Sequence, residues 1–215
     1  LRLVFGPTTL AASTILVAYM LGLGVGGLLG GRLSRRMRDG VRLYGWMEIA
    51  IGAYALAVPF AFAWFPELNR VWLYALPFWP AALARFLLAL LVLMVPTILM
   101  GATLPVLVAA LSRHDPRVGR STALLYGLNT LGMVAGVFLA TFVLFPRLGL
   151  FGTSLFGAAL DAAVGVLALA VVAPLMGRDA PAAAVADAPA SIPRHARTPA
   201  VLAVLLVAYG CVGFT

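Results

Sequence analysis

The chain has 215 residues, of which 63% are hydrophobic and only 10% charged, with a mean hydropathy of +1.06. A soluble globule could not cover that much apolar surface with so few polar residues, so the composition excludes one and places the chain in lipid. The net charge of +8 is carried by arginine alone; it is gathered in short loops between apolar runs and is not interleaved with exposed aromatics, which speaks against a nucleic-acid partner.

Leu1 stands where an initiator Met would, and the first apolar run is too long for a secretory signal, so the chain reads as an internal piece of a larger protein. That run, Thr8 to Gly31, continues for 24 residues without a charge. At ~1.5 Å per residue it reaches ~36 Å, enough to cross a ~30 Å hydrocarbon layer with some tilt. Gly22, Gly26 and Gly30 recur every fourth residue along it, with Gly27 and Gly31 beside them. Such a row lets two helix backbones approach closely, and close approach drives association where burying apolar surface gains nothing. A glycine face lining a substrate path is the functional alternative.

Directly after this run come Arg32, Arg35, Arg36, Arg38 and Arg42, a cytoplasmic anchor. The second run, Leu43 to Phe65, carries Glu48 one to two turns in from the cytoplasmic end. The segment from Pro66 to Pro80 then brings Trp72, Tyr74, Phe78 and Trp79 together, an aromatic group suited to headgroup level on the outer face. The third run, about Ala82 to Leu111, includes VPTILMGATLP; Pro96 and Pro105 each remove a backbone donor around Gly101, which predicts a kink or local break. Arg85 near its outer end is placed to snorkel to the interface.

The fourth run, Thr122 to Phe145, repeats the small-residue device with Gly132, Gly136 and Ala140, and it offers Tyr126 and Asn129 as partners for Glu48 in the inner half of the membrane. The fifth, Thr153 to Met176, holds Asp161 near its middle. An ionised carboxylate at bilayer depth is costly, so Glu48 and Asp161 should face the bundle interior, be protonated or find a donor. Either they mark a proton or cation relay, or a polar site in a cytoplasm-facing cavity, or each fixes helix register by an interhelical hydrogen bond. No second charged partner within the runs is evident from the sequence, which favours the hydrogen bond.

Residues 177–198 are rich in Ala and Pro and read as a flexible cytoplasmic linker. A further apolar run fills residues 199–215 and reads as the start of a truncated helix. Eleven arginines fall in the loops on one side of this pattern and four on the other, which orients the first run from outside to inside. The expected architecture is therefore an all-α, polytopic membrane bundle, residues 1–176, with about five complete spans and a truncated sixth. Its expected partners are the lipid bilayer and further transmembrane helices of the same parent chain.

No catalytic, cofactor-binding or metal set is legible. His114 and His195 fall in different cytoplasmic loops, Cys211 is single, and no glycine-rich phosphate loop follows a strand.

Three stretches, MLGLGVGGLLGGRLSRRMRDGVRLYGWMEIAIGAYAL, VPTILMGATLPVL and GRSTALLYGLNTLGMVAGVFLATFVLFPRLGLFGT, occur in the order found in the membrane-embedded spermidine synthase-like proteins of bacteria, which fuse a major-facilitator-like bundle to a spermidine synthase domain. The chain resembles that family from Leu1 to about Met176. The resemblance implies a major-facilitator-like half in a bacterial inner membrane. It also implies a spermidine synthase-like domain elsewhere in the parent chain, transferring an aminopropyl group from decarboxylated S-adenosylmethionine to a diamine. None of that domain's motifs lies in these residues. A transporter half that moves a polyamine, a related metabolite or protons is the alternative. In the arginine loop, Arg35 stands where major-facilitator transporters carry an acidic residue. At Asp161 the resemblance implies a neutral residue.

Overall fold

The computed structural model describes residues 9–37, 39–68, 70–71, 76–112 and 118–178, and these are helical apart from short connections. Arg38, the linker beyond Arg178 and the run from Pro199 lie outside the described residues. The elements are α1 (Thr9–Arg36), α2 (Gly40–Leu68), α3 (Phe78–Ser112), α4 (Val118–Leu139), α5 (Phe145–Leu167) and α6 (Ala173–Arg178). Wider π turns at Ala140–Leu144 and Ala168–Val172 join α4 to α5 and α5 to α6.

Four helical stretches are long and apolar enough to cross a membrane: Ala12–Arg36, Gly40–Ala61, Phe78–Ser112 and Thr122–Leu175. This corrects the expected count of five complete spans and a truncated sixth. The sixth run is outside the described residues, and the fourth and fifth follow one another without a loop, their helices meeting at a kink at Gly149. Within that 54-residue stretch the π turn carries hydrogen bonding forward, with the Phe145 N–H donating to the Ala140 carbonyl. Pro146 then falls in the first turn of α5, where a missing N–H costs little. Only Gly149 leaves helical geometry, at φ 67° and ψ −173°.

The most extensive packing is between α1 and α3, followed by α2 with α5 and α2 with α3; α4 makes a thinner contact with α3. Tyr19 adds a link from α1 to α4, its hydroxyl 3.8 Å from the Met133 sulfur. The principal core joins Val41, Tyr44 and Met47 of α2 to Ala102, Val106, Leu107, Ala110 and Leu111 of α3, with Leu125 of α4, Val164 near the end of α5, and Ala168 and Val172 of the π turn that follows it. These are the start of α2, the end of α3, the start of α4 and the end of α5. The core therefore sits at the end of the bundle where α1 gives way to the arginine loop. Arg32, Arg35 and Arg36 are exposed there, and Arg42 in the first turn of α2 pairs with Asp39 of the short link at 3.8 Å.

Glycines decide how closely the helices approach. A Cβ on Gly26 would collide with the Ile98 carbonyl oxygen and come 3.0 Å from the Gly101 Cα; one on Gly30 would come 2.7 Å from the Ala102 Cα, and one on Gly22 would collide with the Thr97 side chain. Gly101 answers from α3, where an added Cβ would lie 2.7 Å from the Leu23 Cα. On α4, Gly136 is buried and Gly132 half-buried, whereas Gly127 faces open space.

The break expected in the third run is not observed: α3 stays helical through Pro96 and Pro105 over 35 residues. Pro96 cannot donate to the Val92 carbonyl four residues earlier. The Tyr54 hydroxyl of α2 donates to that carbonyl instead, at 2.8 Å. Thr97 and Thr103 satisfy their own hydroxyls within the helix, donating to Leu93 O at 2.8 Å and Met100 O at 2.7 Å.

Candidate functional site

Antiparallel packing of α2 on α5 creates the one place where two acidic side chains from different helices meet among the described residues. Gly45 and Gly165 lie back to back: a Cβ on Gly45 would come 2.9 Å from the Gly165 carbonyl oxygen, and one on Gly165 would come 2.7 Å from that of Gly45. Two turns along α2, a Cβ on Gly52 would lie 2.8 Å from the Ala158 carbonyl oxygen and 3.1 Å from the Asp161 Cβ. Glu48 sits between Gly45 and Gly52 on the same face of α2, since residues three and four apart share a face. Asp161 sits between Ala158 and Gly165 on α5 by the same spacing.

Both carboxylates are sealed from solvent, Glu48 at 0% exposure and Asp161 at 1%. They are close enough for their charges to act on one another, and the buried Tyr44 hydroxyl lies within interaction range of Glu48 from one turn back. Neither Glu48 oxygen reaches a donor with ordinary hydrogen-bond length and angle. The remaining buried polar residues among those described are Thr14, Ser34, Thr97 and Thr103; no arginine is among them.

The structure thus joins the two acidic residues that the sequence presents separately. It does not bring Tyr126 to Glu48: that side chain is 62% exposed on α4, which packs on α3. Asn129 is half-buried on the same helix. Tyr44 is the member that sequence reasoning missed. A signal for the pairing was present, because Gly45 to Gly52 reads GWMEIAIG and Ala158 to Gly165 reads AALDAAVG. Each has a small residue, an acid three positions on and a glycine four positions beyond that, so each acid is flanked by the residues that let a second backbone come close.

Chemically, such a pair can hold a proton or a small cation. Among the described residues, no group of three or more His, Cys, Asp or Glu side chains is placed to hold a metal ion. No protein-family model matches the sequence, and no match is found among curated proteins or solved structures.

Proposed function

We propose that this chain is the membrane domain of a spermidine synthase-like protein, embedded in a bacterial inner membrane and anchoring or accompanying a catalytic domain carried elsewhere in the parent chain. The observation that carries this reading is the α1–α3 contact. The stretches MLGLGVGGLLGG and VPTILMGATLP, both central to the resemblance, pack on one another through Gly22, Gly26 and Gly30 against Thr97, Ile98 and Ala102. Residues that set backbone separation are those a shared bundle geometry would require.

The test uses the full parent protein and a version lacking residues 1–215, assayed in membrane and soluble fractions for aminopropyl transfer to a diamine. Transfer by both versions, with membrane association only in the first, supports the anchor. Absence of transfer, with uptake of a polyamine into vesicles by the intact protein, overturns it in favour of the transporter. The buried Glu48 and Asp161 pair is the observation that favours that second reading, since acidic residues inside a bundle mark ion pathways more often than they serve as scaffolding.

A further inference from the structure

We propose that the arginine end of α1 holds an anionic phospholipid, its phosphate bound by Arg32, Arg35 and Arg36 and an acyl chain lying along the face of α1 turned away from α3. The assignment is the same whether the bundle anchors or transports. The seam with α3 fixes which way the arginines point. Gly22, Gly26 and Gly30 are buried on that seam, and Ser34, one turn beyond Gly30, is buried as well. At ~100° per residue, Arg32, Arg35 and Arg36 fall ~140–240° around the helix from Gly30, on the opposite side. All three are exposed.

The same face is apolar deeper in the bundle. Leu21, Leu28 and Arg35 follow one another at seven-residue spacing and so form one ridge; Gly24 and Gly31, also seven apart, form a furrow beside it. Leu21 and Leu28 are 47% and 67% exposed, and a Cβ on either glycine would meet nothing within 4 Å. An extended hydrocarbon chain fits such a furrow. From Leu21 to Arg32 is ~16 Å at ~1.5 Å per residue, close to the ~15 Å depth of one leaflet of a ~30 Å hydrocarbon core. A lipid whose phosphate meets the arginines therefore lays its chain past Leu28 and ends near Leu21.

Charge selects the headgroup. Five arginines lie between residues 32 and 42 against one acid, Asp39, and that acid pairs with Arg42. None of Arg32, Arg35 and Arg36 forms an ion pair with another described residue. Guanidinium groups bind phosphate through paired N–H donors, and three on one face favour a headgroup of net negative charge over a zwitterionic one, whose ammonium they repel. Arg32 also stands one turn from exposed Leu28, so the anion it meets lies at the edge of the hydrocarbon, where lipid phosphates are and soluble anions are not.

Native mass spectrometry of the full-length protein, released from nanodiscs of equal phosphatidylcholine and phosphatidylglycerol, tests the proposal by counting retained lipids. Phosphatidylglycerol should be retained over phosphatidylcholine; the preference should fall about fivefold with the first arginine changed to glutamine and reach parity in the triple variant Arg32→Gln, Arg35→Gln, Arg36→Gln. Arg70→Gln, at the opposite end of the bundle, should leave it unchanged. Nanodiscs present the same lipids on both faces, so a change of orientation cannot imitate the effect. If the triple variant does not fold, Gly24→Leu, which keeps every charge and fills the furrow, should lower the retention of phosphatidylglycerol; unaltered retention overturns the proposal. So does parity in the wild type, the result expected if a further helix or an acidic protein covers this face. Displacement of the lipid by glycerol 3-phosphate overturns it as well, as evidence of a soluble-anion site, and an equal loss in Arg70→Gln would reduce it to an effect of net charge.

Discussion

The Tyr54 hydroxyl donates a 2.8 Å hydrogen bond to the Val92 carbonyl, the group that Pro96 leaves without its helical donor. One helix thus repairs a defect in its neighbour, which is how a proline is retained inside a long helix where water is not at hand. Tyr54→Phe should lower stability by about 1–2 kcal/mol, the cost of leaving a half-buried carbonyl unmade. In a Pro96→Ala background the same change should cost much less, because the backbone N–H returns. Thermal melts of the four proteins in nanodiscs check this; equal costs in both backgrounds would show that the bond does not serve the proline.

The α1–α3 seam makes a sharp contrast between glycines on one helix. Gly26→Ala places a methyl group against the Ile98 carbonyl and the Gly101 backbone, neither of which can rotate away. It should destabilise by about 1–3 kcal/mol, in the range of overpacked cores. Gly24→Ala meets nothing within 4 Å and should be neutral or slightly stabilising, since alanine favours a helix by about 1 kcal/mol over glycine. Similar melting temperatures for the two variants would contradict the seam.

Much of this architecture was legible because membrane helices announce themselves by length and hydropathy, and Gly22, Gly26 and Gly30 share a face by periodicity alone. What was not legible depends on which faces meet. Glu48 could have found Tyr126 or Asn129 by depth, and depth is all a single run reveals; its meeting with Asp161 follows from the glycines at 45, 52 and 165, which bring α2 onto α5 and not onto α4. The loopless junction of the fourth and fifth runs, kinked at Gly149, was hidden for a different reason. A π turn before Pro146 keeps the helix hydrogen-bonded through residues that, read singly, suggest a loop.

The arginine loop predicts sidedness. With Cys211 replaced by serine, a cysteine introduced at exposed Asp39 should react with a membrane-impermeant maleimide only in inside-out vesicles. By the positive-inside rule, the five arginines between residues 32 and 42 would hold this loop on the cytoplasmic side. Replacing Arg32, Arg35, Arg36 and Arg38 together by glutamine should yield a mixed population labelled from both sides. Labelling of the parent cysteine protein in right-side-out vesicles would reverse the orientation of every helix.

Gly149 gives the last prediction, and it concerns the division of the longest helix. Its φ of 67° with ψ of −173° lies in a region that residues with a Cβ avoid for steric reasons internal to the backbone. No neighbouring atom lies within 4 Å of where that Cβ would be, so crowding plays no part and the cost is conformational. Gly149→Ala should lose about 1–3 kcal/mol, and asparagine should fare no better, because its tolerance is for the left-handed helical region with ψ near +45°. Gly127→Ala, equally uncrowded but within regular helix, should be neutral or stabilising by comparison. If the melting temperature of Gly149→Ala matched that of Gly127→Ala, the chain would not turn at Gly149. The 54-residue stretch would then continue as a straight rod of ~80 Å at ~1.5 Å per residue, far longer than any bilayer requires.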